Sequence, residues 1–108
     1  MTASNKPIAI IHGKIILSDT IVEGKTILIA DGKIKAVDQI NTLNSDEFEI
    51  IDAKQKYITP GLIDLHIHGC LHHTFNEADP AAFHVILAKT LLSGVTTLQP
   101  TLVSAPIQ

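Results

Sequence analysis

Two histidines one residue apart, His66 and His68, are the side chains of this sequence best placed to do chemistry. They close the run Leu62-Ile63-Asp64-Leu65-His66-Ile67-His68. Its alternation predicts an extended strand with Asp64, His66 and His68 on one face and Ile63, Leu65 and Ile67 on the other. Two imidazoles on one side of a strand can grip a single ion through nitrogens at about 2.0–2.1 Å. The competing reading is a pair of partly exposed histidines held by structural hydrogen bonds. Six histidines in 108 residues produce roughly 0.3 His-x-His pairs by chance, so spacing alone does not decide between the two. Position favours the metal: the pair sits at the carboxyl end of a strand that feeds a helix, the edge where parallel α/β folds place their sites. Asp64 lies two residues deeper and reads as a carboxylate that accepts from backbone or orients a ligand, rather than as a ligand itself.

The other titratable groups read as structural. His72 and His73 follow Cys70 in what the sequence predicts to be a solvated loop, and a zinc site built from His66, His68, His72 and Cys70 has no recognised tetrahedral spacing. His12 beside Gly13 is a turn residue, and His84 falls on the surface of a helix. Cys70 is the only cysteine, lacks a Cys-x-x-Cys partner, and reads as a small inert thiol. No phosphate-binding glycine loop and no Gly-x-Ser-x-Gly nucleophile elbow is present. Eight Lys+Arg against eleven Asp+Glu, a net charge of -3 and no basic run argue against nucleic acid or an anionic membrane as partner. One cysteine closes no intrachain disulfide, and Met1 to Pro7 carries no signal-peptide core, so the cytoplasm is the expected compartment. Apolar runs are broken every few residues, far short of the roughly 20 that a spanning helix needs.

The elements that must position the histidines follow from pattern. Ile8 to Ile11 and Lys14 to Leu17 are short β-branched runs joined by His12-Gly13. Thr26 to Ala30 and Lys33 to Val37 flank Asp31-Gly32, the dipeptide that favours the positive φ angles of a two-residue hairpin turn. Phe48 to Asp52 gives one more strand before the turn Ala53 to Lys56, so residues 8–58 are expected to form an antiparallel sheet domain or part of one. The character changes at Thr59-Pro60-Gly61. After the histidine strand, Asp79-Pro80 supplies a capping acceptor and a proline at the first helical position. Phe83, Ile86, Leu87, Thr90 and Leu91 form an apolar stripe, and Gly94 marks the helix end. Val95 to Gln99 is a second strand, expected parallel to the first in a right-handed strand-helix-strand crossover. A further element is expected to begin within Leu102 to Gln108.

The string Thr59-Pro60-Gly61-Leu62-Ile63-Asp64-Leu65-His66-Ile67-His68-Gly69 resembles the first barrel strand of the amidohydrolase superfamily, whose signature is Pro-Gly, an apolar run, Asp and His-x-His. Gly69-Cys70, Phe75-Asn76 and Ser93 to Leu102 are similar to the N-acetylglucosamine-6-phosphate deacetylases of that superfamily. The family's loop after this strand is glycine-rich, where this chain has Leu71-His72-His73-Thr74. The resemblance implies an α/β chain: part of a small β-sandwich over residues 1–58, then, over 59–108, the first β-α-β unit of a (β/α)8 TIM-type barrel, incomplete in this chain. It also implies hydrolysis of N-acetylglucosamine 6-phosphate to glucosamine 6-phosphate and acetate, in amino-sugar catabolism. A divalent metal would serve it, zinc before iron or manganese, with His66 and His68 matching the first-strand ligands. The family's remaining ligands, a Glu and two His, and its proton-transferring Asp lie on later strands, so these 108 residues alone are expected to be silent. The complete enzyme would take an amino-sugar phosphate as substrate and form a homodimer. Two alternatives stand: another amidohydrolase, dihydroorotase-like or hydantoinase-like, or a non-enzymatic module that self-associates through an open sheet edge.

Overall fold

A computed structural model describes residues 6–104. Residues 1–5 and 105–108, on which the leader reading and most of the element expected after Leu102 depend, lie outside the described residues. The chain divides into two compact units, one ending at Pro60 and the other beginning at Gly61. It is mixed α/β, mostly strands with a single α-helix among the described residues. None of its described helices is long and apolar enough to cross a membrane.

The first unit holds seven strands: β1 (Ile8–Ile11), β2 (Lys14–Ile16), β3 (Ile21–Val22), β4 (Thr26–Ala30), β5 (Lys33–Asp38), β6 (Glu49–Asp52) and β7 (Tyr57–Ile58). They form a four-stranded sheet of order β5-β4-β1-β6 and a three-stranded sheet of order β3-β2-β7. The β4–β5 hairpin turns at Asp31 (φ 53°) and Gly32 (φ 68°), both left-handed as its dipeptide requires. The expectation of an antiparallel sheet domain is corrected in part: β1–β4, β2–β3 and β4–β5 are antiparallel, but β1 runs parallel to β6, and β2 parallel to β7. The two partners in each parallel pair are distant in sequence, and alternation records which face a residue takes, not which way its neighbour runs.

These parallel pairs create a corner. β1 passes to β2 through His12-Gly13 while its neighbour β6 passes to β7 through Ala53 to Lys56, so two adjacent strands leave one sheet for the other at the same level. The corner is laced by backbone bonds from Ala53 to Ile11 (2.9 Å), Gln55 to His12 (2.7 Å) and Lys14 to Lys56 (2.9 Å). His12 Nδ1 also lies 3.2 Å from Asp52 Oδ1 across it. Gly13 is needed there because a Cβ would run into the Ile58 side chain. Ile10, Ile15, Ile27, Ile29 and Ile58, drawn from both sheets, line one apolar cleft of about 180 Å³, and Ala9, Ile15 and Ile27 are buried.

The second unit starts with β8 (Leu62–Ile67), which pairs in parallel with β11 (Val95–Pro100). Between them come β9 (Gly69–Cys70), β10 (His73–Thr74), a 3-10 turn at Phe75–Glu77 and helix α1 (Pro80–Leu92). Asp79 Oδ1 accepts from the Ala81 N–H at 3.0 Å and caps the helix, and Gly94 takes the expected left-handed φ of 85° beyond its end. The buried face of α1 is Ala82, Ile86 and Thr90, with the Phe83 ring 5.3 Å from that of buried Phe75. Leu87 and Leu91, expected in the stripe, are exposed. So are Ile63 (64%) and Leu65 (71%) on the apolar face of β8, while Ile67 on that face is half-buried.

The segment after β8, expected to be a solvated loop, instead folds as the β9–β10 hairpin. Cys70 pairs with His73 and Gly69 with Thr74. Gly69 has φ 156° and sits so close to the His73 carbonyl that a Cβ would collide with it. The turn is made by Leu71 (φ 51°) and His72 (φ 65°), the positions that usually hold Asn and Gly. Each L-residue held there costs about 1–2 kcal/mol. The double substitution Leu71→Asn with His72→Gly is therefore expected to raise stability by about 1–2 kcal/mol, read as a higher urea midpoint at unchanged slope. An unchanged or lower midpoint would contradict the strained turn.

Candidate metal-binding site

His66 lies within β8 and His68 just past its end. Both are exposed, and their ring centroids are 5.0 Å apart with the planes at 86°. An ion bound tetrahedrally by two imidazole nitrogens at about 2.0–2.1 Å sets the two centroids about 5 Å apart, so the pair has the right separation to share one. His68 carries a second mark of a ligand. Its Nδ1 lies 3.0 Å from the Thr101 carbonyl, which can only accept, so Nδ1 bears the proton and, in the neutral ring, Nε2 carries the lone pair. Histidine ligands are usually fixed in this way by a partner on the other nitrogen.

The remaining predicted residues divide. Asp64 is half-buried, and its Oδ1 accepts the His66 N–H at 3.0 Å, which is the backbone role expected of it. His73 does not face His66 and His68: its Nδ1 pairs with Glu77 Oε2 at 3.1 Å. His72 is exposed at the hairpin turn, and Cys70 is a half-buried free thiol. Among the described residues no three His, Cys, Asp or Glu come together, so the four-residue zinc site of His66, His68, His72 and Cys70 does not form. The histidine pair offers two candidate donors, and among the described residues no third His, Cys, Asp or Glu joins them.

Three residues that shape this region had no role assigned from sequence. Glu77 Oε1 accepts the Thr74 N–H at 2.6 Å while Oε2 holds His73, tying the hairpin to the 3-10 turn. The spacing Thr74-x-x-Glu77 is a capping-box signature and could have been read as one. Asn76 and Thr101 bond to segments remote in sequence, and no local pattern announces such contacts.

Against known proteins, no family profile matches the chain. A stretch of 43 residues, 39% of this chain, is 54% identical to adenine deaminase 1 of Latilactobacillus sakei subsp. sakei (strain 23K) and covers 7% of that protein. Over 58 residues, 53% of this chain, it is 38% identical to the dihydroorotase of Listeria monocytogenes serovar 1/2a (strain ATCC BAA-679 / EGD-e), covering 13% of it. The crystal structure of N-acetylglucosamine-6-phosphate deacetylase from Pasteurella multocida superposes with a TM-score of 0.83 over 93% of this chain and 26% of its own, at 26% identity. The chain thus spans a small fraction of each of these relatives. Together they support kinship with the hydrolases of the amidohydrolase superfamily and match the fold to the N-terminal part of such enzymes.

The Thr74 amide, and after it the His73 side chain, hold the Glu77 carboxyl below the usual glutamate range. Because its folded pKa is depressed, the stability it contributes is present above the unfolded glutamate value and is lost as pH falls through the folded one. A carboxyl-carbon NMR titration is expected to place the Glu77 midpoint below that of a glutamate in an unstructured peptide. An equal or higher midpoint would remove this tie.

Proposed function

We propose that these residues form the N-terminal portion of a metal-dependent N-acetylglucosamine-6-phosphate deacetylase, with residues 1–58 in its small β-sandwich and 59–108 providing the first strand, helix and second strand of its (β/α)8 barrel. The observation that carries the reading is the superposition on the Pasteurella multocida enzyme, with a TM-score of 0.83 over 93% of this chain. The His66–His68 separation and the polarity of His68, with Nε2 free, fit a divalent ion, for which zinc is our first assignment and iron or manganese the next. When bound, such an ion polarises the amide carbonyl and acidifies water for hydrolysis to amine and acetate. This chain's own part is narrower. β8 and β11 align their carboxyl ends, Asp64 fixes the backbone at His66, and Thr101 holds the proton on His68 Nδ1. The partners we assign are an amino-sugar phosphate substrate and a second copy of the complete enzyme, in the cytoplasm, without nucleic acid or membrane.

A second reading has its own support. The identities to dihydroorotase and adenine deaminase exceed that to the deacetylase, though over shorter stretches, and favour an amidohydrolase acting on a cyclic amide or amidine. A self-associating module without activity is the third, supported by the exposed Ile63, Leu65 and Leu92.

The protein purified from its source, assayed separately on N-acetylglucosamine 6-phosphate, dihydroorotate and adenine, is expected to turn over only the first, with release of acetate. Turnover of either other substrate instead would favour the second reading, and turnover of none the third. The 108-residue polypeptide alone is expected to release no acetate above background, and robust turnover by it would refute the assignment of the remaining machinery to later strands. Replacing His66 or His68 by Asn is expected to lower zinc affinity about tenfold or more in a chelator competition, while His73→Asn leaves it unchanged.

A further inference from the structure

We propose that Asn76 is a positioning residue for His68, acting through the segment that follows β11. The ladder between β8 and β11 does not by itself fix that segment. Its register shifts between Leu98 and Pro100, with Leu98 opposite Asp64 and Pro100 opposite Ile67, and Pro100 has no N–H to give. Beyond it the backbone is held at two points. The Thr101 N–H donates to the Ile67 carbonyl at 2.8 Å. Two residues on, the Asn76 side chain clasps Val103 from both sides: Nδ2 donates to the Val103 carbonyl at 2.8 Å, and the Val103 N–H donates to Oδ1 at 3.1 Å.

A carboxamide is the side chain suited to this task. It presents one donor and one acceptor in a plane, as a neighbouring strand residue would, whereas a carboxylate would set an oxygen against the Val103 carbonyl. Asn76 is itself anchored beside the histidine strand, because its neighbour Phe75 donates its N–H to the His68 carbonyl at 2.9 Å and buries its ring. A closed circuit results: His68 carbonyl to Phe75, Asn76 to Val103, and Thr101 carbonyl back to His68 Nδ1. Two residues of chain reach at most about 7 Å, so a clasp at Val103 confines the Thr101 carbonyl as well. That carbonyl sets the tautomer of His68 and so decides whether Nε2 presents a lone pair. The consequence for metal binding rests on the ligand reading above; the consequence for the tautomer does not.

The test uses the full chain without metal. Nitrogen-15 NMR is expected to show His68 as the Nδ1–H form in the wild type. In Asn76→Ala, Asn76→Asp and Val103→Pro, which break the clasp from either side, His68 is expected to become a mixture of tautomers while His66 keeps its wild-type signals. Zinc affinity, read by chelator competition, is expected to fall about 3- to 10-fold in the same variants, and most in Asn76→Asp. A His68 that stays wholly Nδ1–H in folded variants overturns the proposal. If the variants do not fold, hydrogen exchange in the wild type decides: a protected Val103 amide with His68 as Nδ1–H supports the clasp, and an unprotected one overturns it. Tautomer change without loss of zinc affinity leaves the positioning role standing and overturns the ligand reading alone.

Discussion

The parallel pairing of β8 with β11 is the constraint from which the candidate site follows. Parallel neighbours cannot be joined by a tight turn, so the chain must travel back before the second strand can begin, and α1 is that return path. Once the two strands lie side by side, their carboxyl ends coincide. His68 leaves one strand where Thr101 leaves the other, and the imidazole finds a backbone carbonyl from a residue 33 positions away. Gly69 then turns the chain sharply aside into the hairpin, a path that a side chain there would block.

Most of this was legible before any coordinate. The His66–His68 pair, the Asp79-Pro80 start of the helix, Gly94 beyond its end and the Asp31-Gly32 hairpin all rest on local rules, and each occupies the place its pattern assigns. What escaped the sequence is of two kinds. Parallel partnership in the first unit joins strands such as Ile8–Ile11 and Glu49–Asp52, whose apolar residues look the same whichever way the neighbour runs. The β9–β10 hairpin was hidden for a different reason: Leu71 and His72 lack the conformational freedom that marks such turns, so the chain adopts there a geometry its own residues resist. The Asn76–Val103 clasp and the His68–Thr101 bond are long-range polar contacts, which no window of neighbouring residues encodes.

The second unit also shows how thin a core can be while its elements keep their shape. Ile86 is its one large side chain among the described residues that is fully enclosed, with Phe75 nearly so, and α1 turns Leu87, Leu91 and Leu92 outward. Local determinants compensate: a capped helix start, a Thr90 hydroxyl that donates a hydrogen bond shared between the carbonyls of Ile86 and Leu87, and the Glu77 bridge. Apolar strands and helix faces left in water carry a standing free-energy cost that any covering surface would relieve.

The corner in the first unit has a consequence for how this sequence can change over time. Because two paired strands round it together, the lengths of His12-Gly13 and Ala53 to Lys56 are coupled through the bonds between them. An insertion in either bend alone would slip β2 against β7 and turn the inward isoleucines toward water. Relatives of this chain should therefore gain or lose residues in the two bends in concert, while the tip of the β4–β5 hairpin drifts in length on its own.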